Sequence, residues 1–138
     1  MLNIWFIRHA QSQANAGEKT NDPSAIELTS LGREQAGLIA SHFERAPDLI
    51  VTSPYRRAQQ TAQCLTKRFP EVPHETWPVQ EFTYLSQERC RDTTVTERVP
   101  MAGEYWDRYD PHYVDGEPAE SFAAFIGRVD SMWTKMRE

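Results

Sequence analysis

A short apolar run that stops abruptly on an arginine and a histidine constrains this chain most: Leu2-Asn3-Ile4-Trp5-Phe6-Ile7-Arg8-His9. The run is rich in β-branched and aromatic residues, a pattern that predicts a buried strand over Leu2–Ile7. From Ala10 to Asn15 every residue is small or polar, so a loop begins where the strand ends. In open α/β sheets, ligands bind beyond the carboxyl ends of the strands. Arg8 and His9 at such an end place a bidentate anion holder beside a nitrogen nucleophile.

Residues 16–27 are polar, with Gly17, Asn21, Asp22 and Pro23, and read as a loop. Thr29 is a candidate N-cap for a helix whose apolar face carries Ala36, Ile39, Ala40 and Phe43. Ala46-Pro47 ends that helix, and Leu49-Ile50-Val51 is a second short strand. Ser53 then caps a second helix, with Pro54 at its first position and Ala58, Ala62, Leu65 and Phe69 as its core stripe. That register places Arg56 and Arg57 in a first turn, where the helix dipole opposes cations. Two cations there are unfavourable unless an anion is expected, because a helix N-terminus is itself an anion site. An imidazole with guanidiniums around it points to phosphoryl transfer onto histidine.

Residues 75–80 hold a weak edge strand interrupted by Pro78. Glu81 follows, with Phe82, Tyr84 and Leu85 behind it. A carboxyl among apolar neighbours holds its proton more readily, as a general acid must. Glu75, Glu88 and Asp92 are rival acids. Residues 86–118 show no period and read as an irregular excursion, either braced by its own aromatics or serving as a lid over a site. Phe122, Phe125, Ile126, Val129, Trp133 and Met136 fall on one face of a last helix, expected to be core.

The 138 residues allow one small domain with one core, and no repeat or linker divides it. A net charge of −5 argues against a nucleic-acid partner. It leaves room for an anionic substrate, since a few arginines focus on one phosphate. Cys64 and Cys90 share no metal-type spacing and read as free thiols of a reducing compartment. The first apolar run is too short to span a bilayer and lacks signal-peptide flanks, so the expected location is cytoplasmic, away from membranes.

Arg8-His9-Ala10-Gln11-Ser12 followed by Asn15 resembles the opening motif of the histidine phosphatase superfamily (phosphoglycerate mutase-like, branch 1), with Ala10 where the family has Gly. Three later segments are similar to it in the same order. They are Leu28–Gly32 with Gln35-Ala36, then Ser53, Pro54, Arg57, Ala58, Thr61 and Ala62, then Gly116-Glu117 through Phe125. The resemblance implies an α/β fold of three α/β/α layers around a mostly parallel central sheet. It also implies a phosphatase working through a phosphohistidine on His9. By the same resemblance Arg8, Arg57 and Asn15 hold the phosphate, and Glu81 protonates the leaving group. No metal or cofactor is implied, because guanidiniums stand in for the cation.

The family continues into a further strand that ends in a second phosphate-binding histidine, and this chain ends before it. His42 lies on the first helix, His74 in a proline-rich turn, and His112 is the one candidate substitute. The domain is therefore expected to be single over residues 1–138 but incomplete at its C-terminus. Leu2–Ile7 is then left with an open edge through which copies of the chain associate. The expected substrate is a phosphorylated small molecule or a phosphoprotein. The alternatives are a catalytically impaired module that binds phosphate or phosphoprotein, and a phosphoglycerate mutase-type phosphoryl transferase.

Overall fold

The computed structural model describes residues 2–137. In chain order its elements are α1 (Ser30–His42), β1 (Ile50–Thr52), α2 (Arg56–Arg68), β2 (His74–Thr76), α3 (Gln87–Cys90), α4 (Val95–Trp106) and α5 (Phe122–Arg137). β1, α2 and β2 form a parallel crossover unit, with Ile50 opposite His74 and Thr52 opposite Thr76. Among the described residues this is the whole of the regular sheet. Isolated antiparallel bridges join Ser12 to Leu28 and Thr20 to Thr93.

The core lies between α1, α2 and β1. One cluster is Ala10, Leu28 and Ala36. A second is Ala40, Ile50 and Leu65, flanked by Phe43, Ala62, Cys64, Phe69 and Val72. These residues include most of the apolar positions read from the two helical stripes. Thr29 caps α1 as expected, its hydroxyl accepting from the Gly32 N–H at 3.0 Å. α1 ends earlier than Ala46-Pro47, at His42, with the Phe43 N–H bonded back to the Ala40 carbonyl.

Several expectations are corrected. Leu2–Ile7 is neither buried nor paired as a strand: Leu2, Trp5 and Phe6 are 68%, 64% and 77% exposed. A strand needs a neighbour for its backbone groups, and none of the described residues supplies one. The Trp5 ring lies 5.3 Å from that of Phe43 at the end of α1. The α5 stripe is not core either, since no residue of that helix is buried and Trp133 is 50% exposed. Only one edge of α5 is covered, where Phe125 stacks on Phe82 at 4.8 Å and Arg128 donates to the carbonyls of Pro78 and Gln80.

α2 starts at Arg56 with Tyr55 at its cap position, so Ser53 does not cap it. The Ser53 hydroxyl instead accepts from the Tyr55 N–H at 3.3 Å. His74 belongs to β2 rather than to a turn, and its ring pairs with the Thr52 hydroxyl at 3.0 Å. The stretch 86–118 is not irregular throughout, because it contains α3 and α4. α4 opens with a full capping box from Thr94 and Glu97 and carries Pro100 within its span. No helix among the described residues is long and apolar enough to cross a membrane.

The accessible surface is 9215 Å². A compact monomer of 16.0 kDa is expected to expose about 7,400 Å². The excess agrees with the bare apolar run at residues 2–7 and the uncovered face of α5.

Gly32 fixes how α1 meets the loop that follows His9. A Cβ at residue 32 would lie 2.0 Å from the Gln11 carbonyl oxygen, whereas at Gly37 on the same helix it would meet nothing within 4 Å. Gly32→Ala is expected to destabilise the chain by about 1–3 kcal/mol, and Gly37→Ala to stabilise it by about 0.5–1 kcal/mol. Urea denaturation of the two variants beside the wild type checks the opposite signs.

Candidate active site

The loop carrying His9 is tied down almost group by group. The Ala10 N–H donates to the Thr61 hydroxyl at 3.1 Å, and that hydroxyl donates to the Arg57 carbonyl at 2.7 Å. The Gln11 N–H donates to the Gln35 side chain at 2.9 Å, and the Gln11 carbonyl accepts from the Thr29 N–H at 3.0 Å. Asn15 closes the turn, its Oδ1 accepting from both the N–H and the hydroxyl of Ser12. Asn15 therefore spends its carbonyl oxygen on the loop, and its amide N–H groups remain to donate.

Arg57 is the hub. It is 5% exposed, in the first turn of α2, just past the carboxyl end of β1. All three guanidinium nitrogens are engaged. Nε donates to His9 Nε2 at 3.2 Å, one terminal nitrogen to the Pro23 carbonyl at 2.6 Å, and the other to Glu81 Oε2 at 2.9 Å. The Tyr55 ring lies 4.9 Å from the guanidinium carbon. These partners outweigh the unfavourable helix-dipole position. Of the two arginines, Arg56 points elsewhere and pairs with Glu27 at 2.6 Å on the surface.

The hydrogen bonds also assign the His9 tautomer. Nδ1 lies 2.7 Å from the Ala10 carbonyl, which can only accept, so Nδ1 carries the proton. Nε2 then keeps its lone pair and receives the Arg57 Nε–H. Partial burial lowers the His9 pKa below 6.5, and the positive charges of Arg57 and Arg8 push the same way. The Ala10 carbonyl and the Glu81 charge oppose them without reversing the direction. Arg8 is exposed and acts on His9 through its charge rather than through contact.

Glu81 meets the site by a different route from the one expected. Its side chain is 71% exposed, so apolar surroundings do not hold its proton. It is placed instead by its ion pair with Arg57. The rival acids are elsewhere: Glu75 bonds the Trp77 indole and Lys135, Asp92 pairs with Lys19, and Glu88 lies exposed on α3. His112 is exposed, with its backbone N–H on Asp110, and does not join the group around His9. Among the described residues no cluster of three or more His, Cys, Asp or Glu side chains could hold a metal ion.

Sequence reasoning missed the supporting groups, Thr61 and the Pro23 carbonyl above all. Thr61 carried a signal, being one turn beyond Arg57 on a helix face otherwise apolar. The Pro23 carbonyl carried none, because a backbone acceptor leaves no mark on composition.

With this geometry in hand, a family model described as histidine phosphatase superfamily (branch 1) matches residues 4–138. The chain belongs to that superfamily. Among its relatives, a glucosyl-3-phosphoglycerate phosphatase of Mycolicibacterium vanbaalenii is 43% identical over 64 residues, 46% of this chain and 28% of that protein. Phosphoserine phosphatase 1 of Hydrogenobacter thermophilus is 26% identical over 149 aligned positions, covering 100% of this chain and 65% of that protein. The crystal structure of the alpha-ribazole phosphatase of Shigella flexneri superposes with a TM-score of 0.71 at 23% identity, over 95% of this chain and 65% of that one. That likeness shows the phosphoglycerate mutase-like α/β fold. The chain thus spans less than two thirds of the length of these relatives.

Because the folded state lowers the His9 pKa, the unfolded chain takes up that proton first as pH falls. The contribution of His9 to folding is therefore complete above about 6.5, the ordinary histidine value, and is lost as pH drops below it toward the lowered value. An NMR titration of the His9 ring carbons is expected to give a midpoint below 6.5. Replacing Arg57 with Gln is expected to raise that midpoint.

Proposed function

We propose that this chain is a phosphomonoester hydrolase acting through a phosphohistidine intermediate on His9. The observation that carries the reading is the contact between Arg57 Nε and His9 Nε2 together with the proton held on Nδ1. It pairs a neutral nitrogen nucleophile with a buried cation at the place where a phosphate would sit.

On binding, a phosphate oxygen takes the Arg57 Nε–H from His9 Nε2, and the freed Nε2 lone pair attacks phosphorus in line as the bond to the ester oxygen breaks. The imidazole becomes cationic, and the Ala10 carbonyl, already accepting from Nδ1, stabilises it. The Arg57 N–H on the Pro23 carbonyl keeps its partner, while the Nε–H and the N–H groups without a partner in the chain serve the phosphate oxygens. Arg8 and the Asn15 amide add further donors at the open side. Glu81 gives its proton to the leaving alkoxide. That proton comes from solvent, to which the Glu81 side chain is open. In the second half, Glu81 takes a proton from water as the water oxygen attacks phosphorus and the P–N bond breaks. Phosphate leaves and His9 is neutral again.

The phosphatase names of several relatives support hydrolysis of phosphorylated small molecules, while two other relatives are named probable phosphoglycerate mutases, so superfamily membership by itself does not separate the two readings. Cytoplasmic location belongs to the same proposal. Hydrolysis of p-nitrophenyl phosphate tests it. His9→Ala is expected to abolish turnover, Arg57→Ala to lower it by roughly 10²–10³-fold, and Glu81→Gln to slow it less for p-nitrophenol, whose anion leaves without a proton. Wild-type and His9→Ala protein releasing phosphate at the same background rate would leave only a phosphate-binding module.

Self-association through the bare Leu2–Ile7 run belongs to the proposal too, supported by the exposure of Leu2, Trp5 and Phe6. Sedimentation velocity across a concentration series is expected to show dimers or larger species. Trp5→Lys with Phe6→Lys is expected to shift them to monomer. A wild-type chain that stays monomeric at high concentration refutes it.

A further inference from the structure

A cavity of about 330 Å³ adjoins the site, lined by Asp22, Pro23, Tyr55, Thr83, Leu85 and their neighbours. Its walls are the groups that brace the proposed machinery. The Pro23 carbonyl holds Arg57, and the Tyr55 ring stacks under the same guanidinium. The Thr83 hydroxyl bonds the Tyr55 hydroxyl at 2.7 Å and the Glu81 carbonyl at 3.3 Å. The cavity thus lies behind the residues that brace Arg57 and meets the Glu81 segment through Thr83. Its volume lies at the small end of ligand sites, the scale of one ring rather than of a macromolecular segment.

The charge of the cavity is distinctive. Asp22 is the sole charged side chain in its lining, fixed by accepting from the Ser24 N–H at 2.8 Å and the Ser24 hydroxyl at 2.7 Å. The rest of the lining offers hydroxyls, the Gln87 amide and the apolar faces of Pro23, Leu85 and Pro118. Basic side chains on the adjoining segments are already paired, Lys19 with Asp92, Arg56 with Glu27, and Arg89 with Asp115 and Glu104. Nothing in the lining balances an anionic leaving group.

We infer that this cavity receives the alcohol half of the phosphomonoester and selects neutral or cationic polyols over alcohols bearing a carboxylate or a second phosphate. The inference rests on the phosphatase reading and adds the substrate class to it. Hydroxyls and the amide meet a polyol's own hydroxyls, and the prolines and leucine cover a ring face. A carboxylate in the same space is repelled by Asp22 by about three- to a hundredfold in affinity across the dielectric range of a protein surface.

Calorimetric titration of the purified chain with inorganic phosphate, ribose 5-phosphate and 3-phosphoglycerate tests this. Ribose 5-phosphate is expected to bind about tenfold tighter than 3-phosphoglycerate. Asp22→Asn keeps the acceptor for Ser24 and removes the charge. It is expected to tighten 3-phosphoglycerate by about three- to tenfold while inorganic phosphate is unchanged. Equal affinity for the two esters, tighter 3-phosphoglycerate, or an Asp22→Asn effect equal on both overturns the inference, as does phosphate binding without binding of either ester. Failure of the underlying reading looks different: inorganic phosphate does not bind, or p-nitrophenyl phosphate turnover survives His9→Ala, and the inference falls with it.

Discussion

The buried Arg57 guanidinium is the interaction on which the site depends. A charge this deep is costly to desolvate and persists only with its donors engaged. The chain meets that demand from three separate stretches: the loop at Pro23, the nucleophile loop at His9 and the segment at Glu81. One side chain thereby sets the relative positions of segments far apart in sequence. Removing it would leave the Pro23 carbonyl and the Glu81 carboxylate without partners as well as freeing the imidazole. The cation proposed to bind phosphate is thus also a structural keystone.

A second layer holds Arg57 and His9 in register. Thr61 sits one helical turn after Arg57, so its hydroxyl reaches the Arg57 carbonyl in the manner usual for a mid-helix threonine. The same oxygen accepts from the Ala10 N–H, which gives the nucleophile loop a fixed point on α2. From the other side, α1 comes close enough to Gln11 that only a glycine fits at residue 32. The imidazole is therefore positioned by two helices that meet at its loop, rather than by a strand behind it.

That difference explains what the sequence made legible. The roles of Arg57, Asn15 and Glu81 came from the family resemblance, while Thr29 capping α1, Arg57 in a first turn, and Ala36, Ala40 and Leu65 facing inward followed from local rules. Such features need only a few neighbouring residues to be satisfied. The failures involve partners. Leu2–Ile7 has the composition of a central strand, and α5 has a core stripe. Composition records what a segment is suited to bury, while burial requires something to cover it. The Glu81 environment failed for a related reason. Its apolar successors Phe82 and Tyr84 pack among Tyr105, Trp106 and Phe125, away from the carboxyl itself. α4 was missed because Pro100 and Gly103 interrupt its pattern, while its capping box at Thr94 and Glu97 was the signal available.

The uncovered surfaces and the site are separable in physical terms. Exposed apolar side chains crowd residues 2–7, with further ones on α1 and α4 such as Leu38 and Val99, and α5 has no buried residue. Every hydrogen bond that orders His9 and Arg57 comes from residues 10–81. Those residues also contain both core clusters. The geometry around His9 and Arg57 is thus carried by residues 10–81, and a partner that covered residues 2–7 and α5 would add stability without having to rebuild it. Asp22 and one wall of the cavity beside it belong to the same stretch through Pro23 and Tyr55, and Thr83, Leu85, Gln87 and Pro118 close the other wall. On the proposed reading, selection of the alcohol and attack on phosphorus share one guanidinium, which ties the discrimination of substrates to the same few contacts that hold His9.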